Sequence, residues 1–541
     1  MKLKNKDYPL YKTLPEVHNL KELVTFRADE SGDEVALSFN NESDQKVSKT
    51  FAQVAKEVNS LGTWLYTQGY QPKDGKLYHI AVLGDNSYAW LIAFLAITNG
   101  GNVAVPIDKD LADHEVMRII NKADVDAIFI ADDKKDLVKD FKQEKVYLLS
   151  QLATFKQEGL DSIHAGNKSY YEAEMVDENP TIIIFTSGTS GQSKGAVLTN
   201  RNIGAELTLT VQNFKPEGST VAVLPFHHAF GLIVGIFMVY YYGFETFINK
   251  NLRTISKALV NEKPNTIFLV PLFVEAFHKQ IWRAADKQKA TAKLKAAMAL
   301  SNSMLKTGID MREKFFESVL TPFGRNLKWI ICGGAALDPF YVKEFRSWGI
   351  EILNGYGMTE CSPVVSVNRN LYRKDGTIGR GIPGADFKTA DDEELLVRGP
   401  FLMQGYYKDP ELTAEAIDEE GWYHTGDLGY VDEEGFIHLT GRKKNLIILS
   451  TGENISPEEL EENLQRDPAV CECLVYEQDK KIVAEVFPEE DYRGNQEYFD
   501  KLIKKLNHPR PPYKHITAVF LRDEEFPKNS THKILRKNYG K

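Results

Sequence analysis

The sequence predicts an α/β protein: a large N-terminal domain of helix-covered, mainly parallel sheets with a small β-rich subdomain, followed by a small α+β C-terminal domain. Three observations predict it. Short apolar runs alternate with helical ones through the first 440 residues. After Thr377 the texture changes to short strands between acidic, glycine-bearing turns. From Ser456 onward a helix start and three further strands make up a module of about a hundred residues, within the usual domain range. The expected boundaries are 1–440 for the large domain and 441–541 for the small one. Within the first lie α/β subdomains at 1–180 and 181–376 and the β-rich one at 377–440.

The elements follow in order. HIAVLG (79–84) is a strand-like run, SYAWLIAFLAITN (87–99) a helical one ended by Gly100-Gly101, and NVAVPI (102–107) a strand again. VMRIINKA and DAIFIAD continue the alternation, which resumes at TIIIF (181–185), VAVLP (221–225), TIFLVP (266–271), LKWIICGG (327–334) and GIEILNGYG (349–357). Strands apolar on both faces and alternating with helices argue for parallel sheets covered by helices. ELLVRGP, GFIHLTGR and NLIILSTG are the short strands of the β-rich part. Ser456-Pro457-Glu458-Glu459 reads as a capping box: serine on the third helical amide, proline at the first position, Glu459 reaching back. CECLVYE, KIVAEVF and HITAVFLR are the last three strands, with a helix around EYFDKLIKKLN.

Composition narrows the function classes. The 541 residues are 43% hydrophobic and 26% charged, an ordinary globular balance. A net charge of −10 offers no general attraction to DNA or RNA, so no nucleic-acid partner is expected. The four cysteines, Cys332, Cys361, Cys471 and Cys473, show no C-x-x-C spacing and read as reduced thiols of a cytoplasmic protein. MKLKNKDYPLYKTLPEV has basic residues with no apolar run behind them and is no secretory signal. Val221–Phe244 carries no Lys, Arg, Asp or Glu and has the length of a bilayer span. Pro225, two adjacent histidines and the opening VAVLP instead favour a buried strand, a turn and a core helix, with at most peripheral contact with a membrane surface.

TSGTSGQSKG, Thr186 to Gly195, directly after TIIIF, is the strongest local signal. Its glycines let the backbone turn tightly and present amides, its hydroxyls add donors and Lys194 supplies charge, which together suit a polyphosphate. It is not the Walker loop, which requires glycine where this chain has Ser193 and a hydroxyl where it has Gly195.

This segment resembles the phosphate-binding signature of the AMP-forming adenylating enzymes: acyl-CoA synthetases, luciferases and the adenylation domains of peptide synthetases. The resemblance continues in order. LPFHHAFG (224–231) is similar to the family's acyl-site segment, GGAAL (333–337) to its adenine wall and NGYGMTE (354–360) to its nucleotide and magnesium motif. VRGPFLMQGYY (397–407), GWYHTGDLG (421–429), GRKKNLIILSTGENISPEELE (441–461) and the terminal lysine motif FPKNSTHKILRK (526–537) follow. Coverage runs from about Thr181 to Lys537, and GYGMTECSPVVSVN is most similar to bacterial fatty acyl-CoA synthetases.

The resemblance implies ATP and CoA as substrates, with Mg2+ as cofactor. Thr186, Ser187, Gly188, Thr189, Ser190, Gly191 and Lys194 would cradle the phosphates. Gly333, Ala335, Asn354, Gly355, Tyr356 and Gly357 would surround adenine, Tyr356 offering it a flat face. Thr359 would hold the α-phosphate and Glu360 magnesium, for which a carboxylate is a suitable hard ligand. Asp427, read as a turn residue, would accept the ribose hydroxyls, with Arg442 as a second ribose or phosphate contact. Lys533 would bridge carboxylate and α-phosphate. The residue before it is His532, where the family commonly has glycine, and a histidine adopts unusual backbone angles less readily than glycine.

Lys444 falls on the hinge about which the C-terminal domain is mobile, and Gly452 resembles the glycine that lets a pantetheine arm pass. His228 is the better match to the acyl-site histidine, with His227 the alternative. LPFHHAFG lacks the aspartate that amino-acid-activating relatives place there, which favours a plain carboxylic acid such as a fatty acid. The apolar run from Leu232 to Phe237 reads as an alkyl-tunnel wall or as core. Competing readings are loading of a free-standing acyl carrier protein, an acyl-adenylate sensor without turnover, and a transporter-like membrane protein.

Overall fold

The computed structural model describes Tyr11, residues 14–187, 193–250, 252–448, 454–528 and 534–536, and Tyr539. The expected α/β class is what it shows. Two sheets dominate. One has seven strands in the order Gly405–Tyr406, Ser193–Thr199, Pro180–Ser187, Val103–Ile107, His79–Leu83, Ala127–Ile130, Val146–Leu148. The other has nine, with Arg380–Gly381, Val364–Val367, Glu351–Gly357, Trp329–Cys332 and Thr266–Leu269 at one side and Thr220–Ala222, Thr246–Ile248, Val35–Asn40 and Lys46–Thr50 at the other. Pairing is parallel in the interior of both; the nine-stranded sheet turns antiparallel at both ends, the seven-stranded one only at the end carrying Pro180–Ser187, Ser193–Thr199 and Gly405–Tyr406.

The reason lies in the residues. Val103–Ile107 is buried at every position, as a strand covered on both faces must be. The helix Tyr88–Thr98 buries all but one of its side chains, and Ser87 caps it by accepting from the Trp90 amide; a helix apolar all round belongs in the interior. Helices Phe51–Thr67 and Leu152–His164 approach so closely that a Cβ on Gly159 would lie 1.8 Å from the Ser60 carbonyl oxygen. Both large sheets take strands from either side of residue 180, so the expected break at 180/181 does not separate them.

The apolar stretch 221–244 is the strand Thr220–Ala222, a turn, a π-helix over Phe230–Met238 and a last turn to Tyr242. Gly231 to Met238 are buried, which supports the core reading of that run. Among the described residues no helix is long and apolar enough to cross a membrane.

By internal contacts the chain forms two units, Met1–Asp386 with Arg398–Tyr423, and Phe387–Val397 with His424–Lys541. The strands expected to close the large domain therefore group with the C-terminal module. Gly441, at the end of the strand Ile437–Arg442, shows why: an added Cβ would lie 2.7 Å from Ser456 Oγ, at the start of the helix Pro457–Gln465.

The capping box expected at that helix does not form. Ser456 stands at the N-cap and Pro457 at the first position, but the serine hydroxyl donates to Glu458 Oε2 at 2.7 Å, and Glu459 pairs with Lys514. The core of this unit gathers Leu460, Leu464, Val475, Ala484, Phe499 and Val519 between two helices and the sheet Val470–Gln478, Lys481–Pro488, Ala518–Leu521.

Candidate active site

In the first unit the phosphate-loop segment is a β-hairpin. Pro180–Ser187 and Ser193–Thr199 pair antiparallel, with Thr186 opposite Lys194 and Ser187 opposite Ser193. A helix begins only at Asn200, so the segment differs from a Walker loop in architecture as well as in sequence. Gly188, Thr189, Ser190 and Gly191 lie outside the described residues. Arg118 and Lys122, on the helix Asp113–Lys122, reach the hairpin's root: Arg118 Nη2 donates to Ser193 Oγ at 3.4 Å and Lys122 Nζ to the Ser193 carbonyl at 3.1 Å. With Ile119, Phe185 and Ser193 they line a cavity of about 250 Å³. Nothing in the local sequence separates these two cations from a solvated helix face.

The adenine-wall and nucleotide segments are neighbours in the nine-stranded sheet. Cys332 pairs with Asn354, so Gly333 and Gly355 lie side by side: a Cβ on Gly333 would be 3.6 Å from the Gly355 carbonyl oxygen and 3.4 Å from the Phe230 ring. Gly333 is buried and Ala335 exposed, while residues 354–360 are all half-buried. Tyr356 pairs with Ser366, and the chain turns back so tightly that a Cβ on Gly357 would lie 1.7 Å from the Pro363 carbonyl oxygen.

Thr359 and Glu360 form one turn of 3₁₀ helix with Cys361. The Glu360 carbonyl accepts from the Met403 amide at 2.8 Å, and its Oε1 accepts from the Tyr406 hydroxyl at 2.8 Å. Behind this turn lies Glu206, 1% exposed. Its Oε1 accepts from Thr210 Oγ1 and from the Val364 amide, and burial pushes its carboxyl well above the ordinary range.

Of the two histidines, His227 turns inward. It is buried, with Nε2 3.5 Å from Asp108 Oδ1. Burial lowers its pKa, against the opposing pull of Asp108. His228 is half-buried beside it, ring centroids 4.2 Å apart. Of the pair, His228 is the more exposed.

The second unit carries Asp427 and Arg442 on adjacent strands. Asp427 is not a turn residue, as its G-D sequence suggested, but lies inside the strand Tyr423–Val431, opposite Arg442, with Arg442 Nε 2.8 Å from its Oδ1. Glu394 supports it from behind: burial works against its charge, but Lys443, the Gly426 amide and His424 together hold its carboxyl below the usual range. Lys444 follows in the 3₁₀ turn Lys443–Asn445 and is exposed. Gly452, His532 and Lys533 lie outside the described residues. Arg536, three positions after Lys533, pairs with the half-buried Glu461, and the flanking Lys528 and Ile534 meet in an antiparallel bridge.

Residues 24–407 match the model of the AMP-binding enzyme family, and residues 444–541 that of the AMP-binding enzyme C-terminal domain. The chain belongs to the AMP-binding enzyme family. Among curated relatives of this AMP-binding enzyme, the long-chain-fatty-acid–CoA ligase FadD15 of Mycobacterium bovis is 27% identical over 462 residues, covering 79% of this chain and 74% of that protein. Long-chain-fatty-acid–CoA ligase 6 of Rattus norvegicus is 28% identical over 470 residues, covering 79% and 67%. The crystal structure of the anthranilate CoA ligase AuaEII in complex with anthranoyl-AMP shares the fold at 20% identity, with a TM-score of 0.78 over 99% of this chain and 98% of that one.

Proposed function

We propose that this AMP-binding enzyme is an acid–thiol ligase that converts a medium- to long-chain fatty acid to its CoA thioester in two half-reactions. In the first, a carboxylate oxygen attacks the α-phosphorus of ATP and the bond to the bridging oxygen breaks, giving acyl-AMP and pyrophosphate. In the second, the CoA sulfur attacks the acyl carbonyl, its proton passes to solvent, and AMP leaves. Bringing two anions together makes the first barrier mainly electrostatic, and the residues divide that task. Thr186, Ser187, Lys194 and the hairpin tip bind the β- and γ-phosphates, Thr359 orients the α-phosphate, and Lys533 meets the charge that develops between the carboxylate and phosphorus. Gly333 and Tyr356 enclose adenine, and Asp427, paired with Arg442, orients the ribose.

The donor set suits magnesium: Glu360 is one half-exposed carboxylate, no group of three or more His, Cys, Asp or Glu side chains is poised for a metal among the described residues, and magnesium is ordinarily held by one or two carboxylates plus phosphate oxygens. Glu360 would hold Mg2+ together with the nucleotide, where the ion neutralises phosphate charge.

The observation that supports this reading is that Lys194 lies over the Tyr406 ring while the Tyr406 hydroxyl donates to Glu360, so that a cation of the 186–195 segment and a carboxylate of the 354–360 segment share one neighbour. The fatty-acid assignment rests on the long-chain ligases among the relatives and on the lack of an aspartate in LPFHHAFG. The protein would work in the cytoplasm, with at most peripheral membrane contact.

The test is exchange of labelled pyrophosphate into ATP, and release of AMP on adding CoA, across acids of graded length with aromatic acids included. We expect both signals with alkyl acids. Exchange with aromatic acids alone would overturn the substrate assignment. Acyl transfer only to a holo carrier protein would overturn the acceptor, and no exchange with any acid would overturn the ligase reading.

A further inference from the structure

Tyr406 lies in no motif to which the sequence assigns chemistry, yet it touches both charged ends of the candidate site. Its ring is 7% exposed. The Lys194 ammonium sits over the ring face, 5.0 Å from the centroid, and its hydroxyl donates to Glu360 Oε1 at 2.8 Å. The backbone leaves it little freedom. Tyr406 pairs with Ala196 on the strand leaving the phosphate hairpin, and the amides of Gln404 and Tyr407 donate to the Val197 and Gly195 carbonyls at 2.9 and 2.8 Å. The Tyr406 amide donates to Thr413 Oγ1 at 2.8 Å, and three residues earlier the Met403 amide holds the Glu360 carbonyl. The short segment 403–407 thus fastens the nucleotide turn to the root of the phosphate hairpin.

A lysine and a glutamate this near a common side chain would ordinarily pair directly, since opposite unit charges about 4 Å apart attract by several kcal/mol in a partly buried site. No Lys194–Glu360 ion pair is present among the described residues. Instead each meets Tyr406, the cation over its π face and the carboxylate at its hydroxyl.

We propose that Tyr406 is a positioning residue that keeps Lys194 and Glu360 apart and aimed, so that the lysine meets phosphate and the carboxylate meets the metal instead of neutralising each other. This rests on the reading of Lys194 as a phosphate contact and Glu360 as the metal carboxylate. It adds that the two are held separate by one side chain. The hydroxyl and the ring have different tasks, so they can be removed one at a time.

The test uses the full chain and two equilibrium measurements: affinity for an α,β-methylene ATP analogue in EDTA by calorimetry, and affinity for Mn2+ in the presence of that analogue by electron paramagnetic resonance. Tyr406→Phe removes the hydroxyl and keeps the ring. We expect Mn2+ affinity to fall about tenfold, as for loss of a group that orients a metal carboxylate, with metal-free nucleotide affinity unchanged. Tyr406→Leu, or Tyr406→Met should leucine not fold, removes the ring as well, and both affinities should fall because Lys194 and Glu360 can then pair.

Adding Tyr406→Phe to Glu360→Gln should produce no further loss of Mn2+ affinity. Wild-type Mn2+ affinity in Tyr406→Phe, or an equal fall in both affinities in that variant, would overturn the inference. If Lys194→Ala and Glu360→Gln themselves leave both affinities unchanged, it is the underlying functional reading that fails.

Discussion

In the proposed function Lys533 performs a single chemical act. Lys533→Ala should abolish adenylate formation while largely sparing thioester formation from supplied acyl-adenylate, because in the proposed function its charge serves only where carboxylate and phosphate meet. Equal loss of both half-reactions in a stopped-time assay would contradict that role. His228, half-buried beside a His227 that burial keeps neutral, should tolerate substitution structurally. His227→Ala removes a side chain packed by Asp108 and should lower the melting temperature.

Glu206 makes a pH prediction. In the unfolded chain its carboxyl ionises in the ordinary range, while in the folded protein burial keeps the proton on well above it. The folded state therefore binds the extra proton, so this group's contribution is complete below the ordinary range and is lost as pH rises from there through the raised folded value. Glu206→Gln does not ionise, and its melting temperature relative to wild type should improve between about pH 5 and about pH 8. A difference independent of pH would show that Glu206 is not held neutral.

At the scale of elements, the site is made from a hairpin, a strand edge and a turn. TSGTSGQSKG revealed its chemistry through composition, but not its hairpin form: the pairing of Thr186 with Lys194 depends on the flanking strands being held in a sheet. The nucleotide turn depends on Gly357, because a side chain there would meet the Pro363 carbonyl at 1.7 Å. Gly357→Ala should therefore push the turn outward, raising the KM for ATP and lowering pyrophosphate exchange by at least tenfold, with far-UV circular dichroism unchanged. Wild-type exchange would mean that the strand can give way. The helix at Pro457 shows the limit of local rules. Its sequence satisfies the capping-box pattern, but the nearer Glu458 takes the serine hydroxyl and Lys514 takes Glu459.

At the scale of the molecule, the chain has two units with cores of their own, one around Ile128, Ile130 and Val105 and one around Phe499, Leu460 and Ala484. Scanning calorimetry should resolve two transitions. Phe499→Ala should lower one of them, at a cost of about 3–5 kcal/mol, and leave the other in place. A single transition shifted as a whole would show that the units unfold together. The unit boundary was not legible, because the strands 387–397 and 424–442 carry the same alternation whichever neighbour they pack against.

By itself the sequence determined the fold class, the alternation of strands and helices through the segments it marked, and which segments resemble the family's phosphate, nucleotide and acyl-site motifs. Those depend on residue type and on spacing within a few positions. Tertiary structure alone decided which segments become neighbours: Tyr406 between Lys194 and Glu360, Glu206 behind the nucleotide turn, Glu394 behind Asp427, and His227 rather than His228 against Asp108. Each of these joins residues far apart in the chain. Such contacts are set by sheet order and close packing, and local residue patterns do not encode them.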